Sequence, residues 1–223
     1  MKQTTKKPIS QIISEFLTNN KKVLFTILAI IICIIVAISI FSVVEKNKNN
    51  LMVNSTIELD EMYEELLNDN GDEVAFITYA AKVTEEYKGT KAELIAYSRL
   101  AAYFYDKEDF TKAFDNYTLA YTNFPNDYAA SVYMFNAAMA QEEIGDADKA
   151  IEILEEIVSQ FKSNDIDVAD FSADVPEALF NLGRLYEAQG NLEKAVEKYE
   201  ILVAEYQSYN LSNLAKTRLL TLK

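Results

Sequence analysis

ALFNLGRLYEAQGNLEKAVEKYEILVAEY, residues 178–206, holds the organisation of this chain in miniature. On each side of Gly190-Asn191 the apolar residues recur at i, i+3, i+4 and i+7, the spacing of one buried face on each of two helices joined by a turn. Gly183 and Ala195 are small where two such helices cross closely, while Tyr186 and Tyr199 supply the volume that fills the gaps beside them. A helix pair this short cannot hide its own apolar faces, so it must stack on copies of itself. Copies are present. Ala195 has counterparts in Ala150 of GDADKAIEILEEIV and Ala113 of EDFTKAFDNYTLAYTNFP, at intervals of 45 and 37 residues. The middle unit has Ala138 for the glycine, Gly145 at the turn and Leu154 for the second tyrosine; the first has Ala101, Phe104, Tyr117 and a closing Pro125.

This pattern resembles the tetratricopeptide repeat, which pairs Leu-Gly and an aromatic on its helix A with Ala and an aromatic on its helix B over 34 residues. On that resemblance, repeats are expected at about 94–127, 131–164 and 176–209, with a degenerate pair at 51–88 carrying Ala75 and Tyr79 on its second helix, and a capping helix at 209–222. The apolar periodicity and the sparse Gly and Pro predict helices near 51–68, 73–88, 91–106, 109–124, 127–144, 147–162, 176–189, 192–206 and 209–222, packed as antiparallel neighbours.

The beginning of the chain obeys other rules. Residues 23–44, VLFTILAIIICIIVAISIFSVV, carry no charge, and as a helix they reach about 33 Å, the thickness of a bilayer's hydrocarbon core. The run is too long for a signal-peptide core and its exit, FSVVEKNK, has no small-residue cleavage pattern, so an uncleaved span is expected. Lys2, Lys6, Lys7, Lys21 and Lys22 precede it against the single acid Glu15, which predicts a basic cytoplasmic tail at 1–22, a linker at 45–50 and export of residues 51–223. Cys33, the only cysteine, falls at membrane depth and is read as a passive membrane residue. The expected fold is therefore all-α: an N-terminal transmembrane helix followed by an α-solenoid of tetratricopeptide-like helix pairs over 51–223.

Composition removes several classes of function. Residues 45–223 contain 16 Lys and Arg against 34 Asp and Glu, a net charge of −18, which opposes binding to nucleic acid or anionic headgroups. The chain has no histidine, so imidazole acid-base chemistry, His-containing triads and imidazole metal sites are ruled out, and no thiol lies outside the apolar run. The adjacent carboxylates Glu85-Glu86, Glu142-Glu143 and Glu155-Glu156 read as a solvated face rather than acid-base pairs. Asp165, Asp167, Asp170 and Asp174, in the insertion KSNDIDVADFSADV at 162–175, lack the glycine-centred spacing of a calcium loop; the insertion is either slack or a contact. No enzyme activity, cofactor, metal or small-molecule substrate is expected.

The resemblance implies instead a groove lined by the A helices. Counted from Leu94, Ser131 and Pro176, its positions are Ser98, Ala102 and Tyr105, then Phe135, Met139 and Glu142, then Phe180, Arg184 and Glu187. Phe135, Met139 and Phe180 would form an apolar strip edged by acids, suited to an amphipathic basic helix or an unfolded apolar segment; the competing reading is ordinary inter-repeat core. Arg184 alone offers a cation, which argues against the Lys/Asn clamp that captures acidic chaperone C-termini.

With its anchor and the segment YAAKVTEEYKGTKAELIAYSRLAAYFYDKEDFTKAFDNY, the chain also resembles, over residues 20 to about 220, the bacterial ancillary subunit of the Sec translocon and the related cell-division coordinator repeat domain. That resemblance implies a single-pass protein of the bacterial inner membrane, N-terminus inside, with protein partners at the translocon, among exported clients or among envelope chaperones. The alternative is a scaffold component of an envelope assembly, including cell division or outer-membrane biogenesis, acting by self-association.

Overall fold

The computed structural model describes residues 8–161 and 174–222. Ten helices cover them: α1 Ile9–Asn19, α2 Lys21–Leu67, α3 Glu73–Glu86, α4 Lys91–Asp106, α5 Phe110–Asn123, α6 Ala130–Ile144, α7 Ala147–Phe161, α8 Asp174–Ala188, α9 Leu192–Glu205 and α10 Asn210–Leu222. No strand occurs among the described residues. From α3 onward the helices lie where the periodicity puts them; the largest displacement is at the start of α6, expected at 127 and found at Ala130.

The linker expected at 45–50 needs correction. The break between the apolar run and the first repeat helix is absent, and residues 45–50 are helical within α2. Their sequence, EKNKNN, contains no Gly or Pro, and asparagine weakens a helix by only a few tenths of a kcal/mol per residue, too little to stop one already propagating.

By their internal contacts the residues fall into two units, 1–53 and 54–223. The first holds α1 and the apolar part of α2. None of its described residues whose burial is assigned is buried, and α2 is long and apolar enough to cross a membrane. The second unit is the repeat array. Each helix from α3 to α10 packs on the next, and α6 packs on α8 and α8 on α10. These second-neighbour contacts, between α6 and α8 and between α8 and α10, fit helix pairs stacked in one direction, in which each pair touches only its neighbours. The helices 54–67 of α2, α4, α6 and α8 are the A helices of four pairs; α10 occupies the next A position.

The turns inside the pairs share one construction. Asp69, Glu108, Gly145 and Gly190 have left-handed φ values of 58°, 60°, 92° and 76°. After each, a backbone amide reaches five residues back: Asn70 to the Glu65 carbonyl at 3.0 Å, Asp109 to Phe104 at 2.9 Å, Asp146 to Gln141 at 2.9 Å and Asn191 to Tyr186 at 2.8 Å. These are Schellman closures, which satisfy carbonyls left over at the helix end. In the last three pairs the next residue then caps helix B, its side chain accepting from the backbone N–H of Lys112 at 3.2 Å, Lys149 at 3.0 Å and Lys194 at 3.3 Å. The chain thus reverses the same way each time.

Packing follows the small residues. Ala113, Ala150 and Ala195 are wholly buried, as are Ala101 and Ala138. A Cβ on Gly183 would come within 2.4 Å of the Tyr199 ring, so only glycine lets α8 approach that ring. The degenerate first pair joins the stack through a run of rings, Tyr63 to Phe76 at 6.0 Å, Phe76 to Tyr103 at 5.3 Å and Tyr103 to Phe104 at 5.5 Å. Its register differs from expectation: Ala75 is exposed and Tyr79 half-buried, donating its hydroxyl to Glu58, while Phe76 and Ala80 are wholly buried in their stead. The aromatic Phe76 turns α3 so that its larger apolar face meets α4.

Candidate partner-binding groove

The A helices place the nine positions named from the sequence on three successive rods, with side chains three or four residues apart that share one helix face. All nine, Ser98, Ala102, Tyr105, Phe135, Met139, Glu142, Phe180, Arg184 and Glu187, are half-buried. Phe135, Met139 and Phe180 rest one side on the wholly buried core and keep part of their surface open, and the Phe180 ring lies 5.7 Å from that of Tyr199. They are thus both packing and surface.

Polar contacts tie each of these rods to another A helix. Arg184 on α8 grips Glu142 on α6 with both ends of its guanidinium, at 2.6 and 2.5 Å, and also reaches Asn181 at 2.8 Å. Its pKa is raised by these hydrogen bonds to Glu142, so the guanidinium is charged at any physiological pH. Glu187 on α8 is bound by Arg218 on α10 through two guanidinium nitrogens and accepts from the Tyr199 hydroxyl at 3.3 Å. At the other end, Arg99 on α4 meets Asp60 on α2 at 2.6 Å and lies 5.4 Å over the Tyr63 ring. These three are all the arginines in the chain. Each ties one A helix to the carboxylate of the A helix before it. Arg184 and Glu142 remain partly exposed, so their forked pair contributes on the order of 1 kcal/mol rather than more.

Arg99, Asp60 and Arg218 are not among the positions that the sequence points to. A signal for Arg218 exists, since it follows Arg184 by 34 residues, one repeat length. Around it opens a cavity of about 500 Å³ lined by Phe180, Arg184, Glu187, Ala188, Tyr199 and Arg218. At the α4 end, Tyr105 stands edge-on to Phe110 with ring centres 5.1 Å apart, and its phenol pKa is raised by burial and then by the charges of Glu143 and Glu142.

The paired carboxylates are not uniformly solvated. Glu85, Glu86, Glu143 and Glu156 are exposed, but Glu142 holds Arg184, and Glu155 takes the Tyr186 hydroxyl at 3.0 Å and the buried Lys198 ammonium at 2.8 Å. The expectation of a purely solvated face fails for those two because stacking brings a cation from the next pair against them. Glu93, nearly fully buried, accepts from the Gly89 amide at 2.5 Å and from Asn123, and so clamps a turn. No group of three or more candidate metal ligands occurs among the described residues. Asp165, Asp167 and Asp170 lie outside the described residues; Asp174 opens α8 and accepts from the Ser131 hydroxyl.

No curated protein is similar enough to the chain to count as a match. A family model described as tetratricopeptide repeat does match, over residues 135–210. With most of α6 and all of α7 to α9 inside that match, the chain, helical throughout its described elements, carries tetratricopeptide repeats, which are protein-interaction modules and typically not catalytic.

Proposed function

We propose that this protein is an anchored docking module: α2 crosses a bacterial inner membrane, the N-terminus faces the cytoplasm, and the acidic array outside binds protein partners along its A helices. The observation that supports the reading is the half-burial of all nine groove positions, which leaves part of each side chain accessible on the helices where a repeat array offers its binding surface. The basic residues before the span support the orientation. An accessory role in protein translocation or envelope protein folding fits a module held beside the membrane. Scaffolding by self-association is disfavoured, because copies whose residues 45–223 each carry −18 repel one another.

Photo-crosslinking in cells from positions 135 and 180 should capture a protein partner, whereas the same probe at the exposed position 193 on α9 should not. Equal capture at all three would overturn the groove reading. Orientation has its own test: protease added outside spheroplasts should digest the array and spare the tail, and digestion only after the cells are opened would overturn export.

A further inference from the structure

Resting on the reading of this groove as a protein-binding surface, we propose that its occupant is a basic polypeptide segment, which sets a lysine or arginine against the exposed Glu143 carboxylate of α6 and seats a bulky apolar side chain in the cavity over Phe180 and Tyr199.

The charge of the groove decides the sign of the partner. All three arginines are already held by carboxylates of neighbouring A helices, and α6 and α8 contain no lysine. Acids remain. Glu143 is exposed on α6 with no cation in ion-pair distance among the described residues, and Asp106, at the end of α4, is met by a neutral Tyr63 hydroxyl at 3.4 Å. Of these, Glu143, together with Glu142, raises the pKa of the Tyr105 phenol, after burial, which is the larger cause.

The apolar part of the groove decides the size of the anchor. Phe135, Met139 and Phe180 are packed partly against the core, so each offers less apolar surface than a free side chain would. The cavity of about 500 Å³ between α8, α9 and α10 is different, having room for one large side chain with Phe180 and Tyr199 as its apolar wall. Its two arginines are balanced by Glu142 and Glu187, so it presents no net charge that would call for an acidic ligand. The groove therefore asks for one cation at Glu143 on α6 and one apolar anchor toward α10. A second copy of this chain, acidic throughout the array, does not supply that combination.

The test uses the purified full chain in a neutral detergent and two fluorescent peptides of about 18 residues, one of Leu and Lys and one of Leu and Glu, each with its leucines on one helical face. The Leu/Lys peptide should bind and the Leu/Glu peptide should not, and affinity should fall as salt rises from about 50 to about 500 mM. Glu143→Lys should weaken binding by about tenfold or more, while Glu193→Lys, the same charge change on exposed α9, should cost less than about twofold. Phe180→Ser should weaken binding with the salt dependence unchanged. Equal losses at 143 and 193 would mean that net charge alone attracts the peptide, and would overturn the proposal. Binding of the Leu/Glu peptide, or of neither peptide, would overturn it too. The groove itself would still stand if crosslinks from positions 135 and 180 captured a partner, and would fall with them.

Discussion

Gly183 shows how much one hydrogen atom can decide. Its Cα faces the Tyr199 ring at a distance that leaves no room for a methyl group, and Tyr199 is itself almost wholly buried and unable to swing aside. Gly183→Ala gains about 1 kcal/mol of helix propensity, yet overpacking of this kind costs about 1–3 kcal/mol, so the variant should be less stable on balance. The middle pair suggests the remedy, since Ala138 and Leu154 stand at the equivalent positions and both are wholly buried. Gly183→Ala combined with Tyr199→Leu should recover part of the loss in a denaturant titration of the full chain. An unaffected single variant would show that the close approach is not a constraint. Here the sequence is readable to the residue, because glycine and tyrosine at fixed repeat positions leave few ways to pack.

At the scale of elements, the turns inside the pairs are legible in the sequence and the junction near residue 45 is not. Gly145 and Gly190 announce left-handed residues, but Glu108 adopts the same conformation, φ 60°, without the freedom that glycine has. What fixes it is the pair of closures around it, the Asp109 amide to Phe104 on one side and the Asp109 side chain to the Lys112 amide on the other. Glu108→Gly should therefore stabilise the array by about 1 kcal/mol, read as a higher midpoint of chemical denaturation; a lower midpoint would mean that the Glu108 side chain contributes something the turn geometry does not reveal. Residues 45–50 mislead because a polar stretch imitates a linker. A helix ends where Gly, Pro or a cap ends it; EKNKNN has no Gly or Pro, and its asparagines stay helical instead of serving as caps.

For the whole molecule, periodicity predicts which positions line the A-helix face, since one face of a helix is fixed by spacing alone. The ion pairs across that face cannot be found the same way. Arg99, Arg184 and Arg218 lie 39, 42 and 31 residues from Asp60, Glu142 and Glu187, intervals with no common period because the connections between pairs differ in length. Stacking chooses the partners.

That arrangement gives the array three built-in chemical reporters. Phenylglyoxal reacts with guanidinium groups that are free to meet it, and every guanidinium in this chain sits at a joint between successive A helices. In a one-dimensional stack the ends fray before the middle. Limited labelling followed by mass spectrometry should mark Arg218, on the terminal helix, ahead of Arg184, whose fork is closed on Glu142. The order of adducts would chart, joint by joint, how the protein comes apart.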